Sequence, residues 1–373
     1  LSAGASTEQR KDPVAQLSRD ELAEQAPLDE RRLRRRVLLL IGLVVIVVAV
    51  ITLVPGLAGL RDQFAHAQWQ WLLAGAALKL LSGVAYVVVF RCVFCPRMSW
   101  RLSGEIGFSE LGANAVIPTG GAGGLALGIW ALRRTGMPAD KVARRSVAFF
   151  FLTSVPNVLG VIVLGAAMAL GLFASEPLTL TLVPACIAAA AVAITIVGGR
   201  WAERRASLAA ERRGPTAKLP RALAALAGGV QEALAMLMRP DRWLAIGLIG
   251  YLGFDVMVLW ATFHAFGASP PLAVIWMGYL VGELGGLIPV PGGIGGVDLG
   301  LVGMLVLYKV PVAEATAAVL AYRALALWIP AVMGAGAFVL LRRTLARESL
   351  RIAGCEPGGE VEVIGRGRVR MTA

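Results

Sequence analysis

The stretch from Ile288 to Gly300 reads Ile-Pro-Val-Pro-Gly-Gly-Ile-Gly-Gly-Val-Asp-Leu-Gly and lies inside a long apolar region. Two prolines and five glycines in thirteen residues do not make a continuous helix: each proline removes a backbone donor and each glycine lowers helix propensity. In hydrocarbon, an unpaired backbone group is so costly that a broken segment must be enclosed by protein or line a watery cavity. An earlier stretch, Ile117-Pro118-Thr119-Gly120-Gly121-Ala122-Gly123-Gly124, follows the same grammar. The fold is expected to be built around these two breaks.

The surrounding chain sets the solvent. It is 57% hydrophobic over 373 residues, with mean hydropathy +0.71, which excludes an ordinary soluble domain and points to several membrane spans. The net charge of +12 would suggest nucleic acid in a soluble protein. Here the arginines cluster at the ends of apolar runs, as inside-facing loops and anionic headgroups require. The four cysteines give no disulfide framework, and the Cys92–Cys95 pair ends a predicted span, where packing is expected. His66 and His264 are too scattered for a metal site, so neither metal nor cofactor is expected.

Charge and hydropathy predict an all-α integral membrane protein. Residues 1–36 form a polar, disordered cytoplasmic tail that closes on Arg31, Arg32, Arg34, Arg35 and Arg36. Full spans follow at about 37–60, 69–94, 146–173, 178–197, 243–266 and 312–341. The broken segment at 102–132 is flanked by Arg101 at one end and Arg133 and Arg134 at the other, so both ends belong on one side. A half-helix that enters, breaks and returns satisfies this. A second such pair is expected at about 271–308. The arginine-rich loop 199–241 carries an interfacial amphipathic helix over 219–238, and a basic cytoplasmic tail covers 344–373. The membrane domain is thus 37–343, with six full spans, two re-entrant pairs and both termini inside. Eight full spans is the alternative.

The two broken segments share downstream landmarks. Met137-Pro138 corresponds to Val310-Pro311, and Pro156 and Gly160 to Pro330 and Gly334. The repeat units are about 102–173 and 271–341; three spans lie between the two broken segments, so the copies are inverted. Inverted repeats with matching breaks point to a transporter with its site near the midplane. Independent packing kinks are the competing explanation.

Charges at membrane depth cost about 3 kcal/mol on insertion scales, and Lys79, Glu110, Asp255, Glu283, Asp298 and Arg323 all fall there. Asp255 either pairs with Arg323 or Lys79, or meets substrate. Asp298 opens a half-helix, where it caps free backbone donors or serves function. The glycines allow a phosphate-bearing headgroup to approach bare N–H groups at a helix start, or simply let helices pack closely. No HExxH, Walker loop or GxSxG occurs, so a transporter and not an enzyme is expected.

Pro291-Gly292-Gly293-Ile294-Gly295-Gly296-Val297-Asp298, Ala321-Tyr322-Arg323 and Trp328-Ile329-Pro330 resemble the second half of the lysylphosphatidylglycerol synthase transmembrane region, the flippase-like domain family. Glu110-Leu111-Gly112-Ala113-Asn114, Ile117–Gly124 and Ala131-Leu132-Arg133-Arg134 resemble its first half. The family commonly has Glu at position 298, and many relatives carry charged residues where this chain has Leu125 and Gly128. The resemblance implies a translocating domain without the aminoacyltransferase. The expected substrate site is formed by Asn114, Pro118, Gly120, Gly121, Gly123, Gly124, Pro289, Pro291, Gly292, Gly293, Gly295, Tyr322 and Arg323.

The expected function is movement of a phosphate-bearing lipid, a phospholipid or a lipid-linked precursor, between leaflets of the cell membrane. The rivals are a non-catalytic partner of a lipid- or envelope-modifying enzyme, and an intramembrane lipid transferase.

Overall fold

The computed structural model describes residues 64–116, 122–173, 177–210, 218–238, 241–283 and 296–347. The span expected at 37–60, the breaks at 117–121 and 284–295, and most of both tails lie outside these residues. The described chain is all-helical: α1 Trp69–Phe94, α2 Trp100–Val116, α3 Ala122–Arg134, α4 Ala139–Ala169, α5 Leu178–Ala210, α6 Lys218–Leu237, α7 Arg242–Ala265, α8 Leu272–Gly282, α9 Gly296–Leu307 and α10 Val312–Arg347.

Helix length separates spans from half-spans. Helices α1, α4, α7 and α10 are long and apolar enough to cross a bilayer. In α5 the apolar part is shorter, Leu178–Ile194. Helices α2, α3, α8 and α9 have 17, 13, 11 and 12 residues. At about 1.5 Å per residue they reach only about 16–26 Å, short of the ~30 Å hydrocarbon core.

The short helices pair antiparallel. Asn114 faces Gly124 while Glu110 faces Gly128, and Gly282 faces Gly300 and Leu301 while Gly278 faces Leu305. A helix that crossed, broke and continued would not fold its halves back on each other. The observed packing therefore favours two re-entrant hairpins over eight full spans.

The repeat is longer than its sequence landmarks suggest. Helices α1–α4 start at 69, 100, 122 and 139, and α7–α10 at 242, 272, 296 and 312, a spacing of 172 to 174 residues throughout. The units thus begin at α1 and α7, upstream of the 102 and 271 expected from sequence. Both copies end their third helix alike. Met137 N–H donates to Leu132 O and Val310 N–H to Leu305 O, and the residue before each is left-handed, Gly136 at φ 93° and Lys309 at φ 67°. This is the Schellman termination, and the lysine accepts a conformation that favours glycine.

Helices α1 and α7 pack antiparallel, which makes the copies inverted. Gln68 N–H donates to Ala265 O at 2.8 Å, Lys79 meets Asp255 midway, and Gly247 rests against Val89 and Ala85 O. Each first hairpin arm then packs on the last helix of the other copy: α2 on α10, and α8 on α4. The described arms of one hairpin make no extensive contact with those of the other.

Helix α6 is held by α4. Gly229 lies against Val147 and Arg144 O, and Gly228 against Arg144. Glu232 pairs with Arg144 at 3.6 Å and Arg145 at 2.9 Å. The glycines and charges that interrupt its apolar face are thus its docking contacts.

Candidate functional site: a polar cluster at membrane depth

Asp255, 7% exposed in the middle of α7, is the hub. Its Oδ1 pairs with the Lys79 ammonium from α1. Its Oδ2 accepts from Tyr279 OH of α8 at 2.7 Å and Tyr322 OH of α10 at 2.9 Å. Ser82 Oγ lies 3.5 Å from Oδ1 and 3.1 Å from Tyr251 O, so its proton goes to the nearer carbonyl. The two phenol rings meet edge to face, 5.9 Å between centroids. One carboxylate thus ties four helices, and both its oxygens are satisfied, as a buried charge requires.

The second pair is Arg323 Nε with Asp298 Oδ1 at 2.6 Å, joining α10 to the first turn of α9. Asp298 therefore neutralises Arg323 as well as favouring the helix start. Of the two partners open to Asp255 in the sequence, Lys79 takes it and Arg323 does not. Side-chain exposures of 25% and 21% leave the Arg323–Asp298 pair reachable. Glu283, at the C-terminus of α8, is within electrostatic reach of Asp255, Arg323, Lys79 and Asp298. Five of the six intramembrane charges therefore form one group beside the break at 284–295.

Glu110 is the sixth and stands apart in α2, 3% exposed. Its Oε2 accepts from Tyr86 OH at 2.9 Å, and its Oε1 presses against Gly128, where an added Cβ would lie 1.4 Å away. Glu110-Leu111-Gly112 and Glu283-Leu284-Gly285 are the same tripeptide in repeat-equivalent places.

Asn114 is a cap rather than an open ligand. Its Oδ1 accepts from Gly124 N–H at 2.7 Å, one of the donors that the first turn of α3 cannot satisfy itself. Asn114→Ala is expected to lower stability by about 1 kcal/mol, as read by reversible unfolding in bicelles. Gly123 and Gly124 lie in α3. Pro118, Gly120, Gly121, Pro289, Pro291, Gly292, Gly293 and Gly295 lie outside the described residues.

Sequence reasoning missed Ser82, Tyr86 and Tyr279. Their polar tips sit on otherwise apolar helices, and only the helix register brings them to a carboxylate. Among the described residues no group of acidic, His and Cys side chains is placed to hold a metal. Cys92 and Cys186 are free, whereas Cys95 is disulfide-bonded, so packing is not its whole role.

Residues 39–334 match the family of the lysylphosphatidylglycerol synthase TM region. The chain belongs to this family. No curated protein and no solved structure matches it significantly. The family match covers both inverted copies up to Gly334 and makes this a multi-pass, lipid-related membrane protein. Tyr322 and Arg323, which carried the family resemblance, both enter the polar cluster, one on Asp255 and the other on Asp298.

Proposed function

We propose that this chain moves a phosphate-bearing lipid, a phospholipid or a lipid-linked precursor, between leaflets of the cell membrane, as a transporter and not as an enzyme, with both termini cytoplasmic. The observation that carries the reading is the gathering of Lys79, Asp255, Glu283, Asp298 and Arg323 beside the second hairpin break. A charged headgroup crossing hydrocarbon needs such fixed charges along its way. Arg323 exchanges Asp298 for the headgroup phosphate, which its planar fork suits. Glu283 tunes the local charge, and the inverted copies rock about the α1–α7 contact to open the site to each side.

The test is leaflet exposure of labelled phospholipids in proteoliposomes. Arg323→Ala is expected to slow exchange about tenfold or more, the loss of one charge-assisted hydrogen bond. A second reading, a membrane partner that holds a lipid-modifying enzyme, draws on the completeness of the Asp255 hub, every donor of which comes from the protein itself. It expects no lipid movement, tolerance of Arg323→Ala, and co-purification of such an enzyme.

A further inference from the structure

Glu110 and Glu283 occupy equivalent places in the two copies but have opposite surroundings. Glu283 has two cations, Lys79 and Arg323, within electrostatic reach. Glu110 has none. The elements around it offer Tyr86 from α1, hydrogen-bonded to it, and Gly124 and Gly128 from α3. From α10 come the Pro330–Gly334 backbone against Gly112, and the charged and phenolic groups nearby on that helix, Tyr322 and Arg323, are engaged with Asp255 and Asp298. Tyr251 of α7 reaches it only through the Tyr86 ring, 5.5 Å between centroids. On α2 itself Glu105 is held by Arg101.

An anion so buried, with one neutral donor, is strongly disfavoured without a counterion. The contact with Gly128 decides which counterion fits. Oε1 already fills the place of a methyl group on that glycine, which leaves no room there for a lysine or a hydrated metal ion. A proton needs no such room.

We infer that Glu110 is a proton-binding site, loaded and unloaded as the first hairpin moves, and that it couples lipid movement to protons. In one step the carboxylate takes a proton from a hydronium ion in the cavity opened on one side, leaving water and the neutral acid. In the reverse step water on the other side takes the proton back. The phenol of Tyr86 donates to Oε2 in both states and orients the group. The coupling rests on the reading of the chain as a lipid transporter, whereas the proton site does not.

Two measurements separate these. Infrared difference spectra of the full chain in lipid, between acidic and alkaline buffer, are expected to show a protonated-carboxyl band. It shifts in heavy water, disappears in Glu110→Gln, and moves without disappearing in Tyr86→Phe, which keeps the acid but removes its donor. In proteoliposomes with labelled phosphatidylglycerol, a gradient of one pH unit is expected to shift the steady-state leaflet ratio about tenfold for one coupled proton, and not in Glu110→Gln. A carboxyl band unchanged in both variants overturns the proton site. A wild-type leaflet ratio indifferent to the gradient, or a Gln variant that still responds, overturns the coupling. Absence of any lipid movement in the wild type sinks the transporter reading and the coupling with it, and the infrared bands still decide the site.

Discussion

Asp255→Ala is expected to destabilise the protein by about 3–5 kcal/mol, the loss found when one partner of a buried ion pair is removed. The substitution leaves the Lys79 ammonium buried, with side-chain exposure of 13%, and without its acceptor. It also strands the Tyr279 and Tyr322 hydroxyls, which both donate to the same carboxylate. Asp255→Asn keeps the shape and one carbonyl acceptor but not the charge, so its loss falls below that of Ala. The informative variant is the double one, Lys79→Met with Asp255→Leu. Replacing a buried pair by apolar side chains of similar volume is often neutral, so the double variant is expected to regain most of the stability, apart from the two phenols. Reversible unfolding in bicelles measures all four proteins. A double variant no more stable than Asp255→Ala would mean that the pair is not what the hub needs. Once stability is restored, lipid exchange by the same double variant separates a structural hub from a working one. Recovered exchange assigns Asp255 to holding α1, α7, α8 and α10 together, and absent exchange assigns it to the polar route.

The hub also shows what a sequence of this kind discloses. Six charges in apolar helices announce themselves because each is costly at membrane depth. Their grouping into five and one does not, since that depends on the register of α1 against α7. The register is set by Gly75 and Gly247, small residues in contact across the two helices, and nothing in their sequence spacing says which partner they meet. The hairpins were visible because proline and glycine disrupt helices wherever they occur. The upstream extension of the repeat to α1 and α7 was not, because these two helices share length and place but no motif. Glu110-Leu111-Gly112 and Glu283-Leu284-Gly285 were open to inspection, but the eye follows the longer glycine runs just after them. Asn114 stood out in the sequence, but its cap on Gly124 needed the fold-back of α3 to exist at all.

The exchange of helices between the copies carries the second large effect. At the α2–α10 crossing, a Cβ on Gly334 would lie 2.4 Å from Gly112 Cα and 2.6 Å from Phe108 O, and a Cβ on Gly112 would lie 2.6 Å from Gly334 Cα. These are backbone atoms, which no rotamer change can move aside. Gly334→Ala and Gly112→Ala must each push the two helices apart, with an expected cost of about 1–3 kcal/mol, the usual range for overpacking. The repeat-equivalent crossing of α4 on α8 behaves differently. A Cβ on Gly160 would lie 3.0 Å from Leu280 Cδ1, the end of a flexible side chain, and 3.9 Å from Trp276 Nε1. Gly160→Ala is therefore expected to cost less than about 1 kcal/mol, and it also removes a helix-interior glycine, which offsets part of the strain. The same substitution at equivalent places in two inverted copies thus has unequal outcomes. The inequality follows from the Gly112–Gly334 backbone contact, whereas among the described residues Gly160 meets only side chains, first that of Leu280. Unfolding measurements on the three alanine variants, with Gly303→Ala as a control that meets nothing within 4 Å, decide the matter. Equal losses at Gly160 and Gly334 would contradict the packing of α2 on α10. A small loss at Gly160 with a large one at Gly334 places the tightest joint between the copies on the hairpin that carries Glu110.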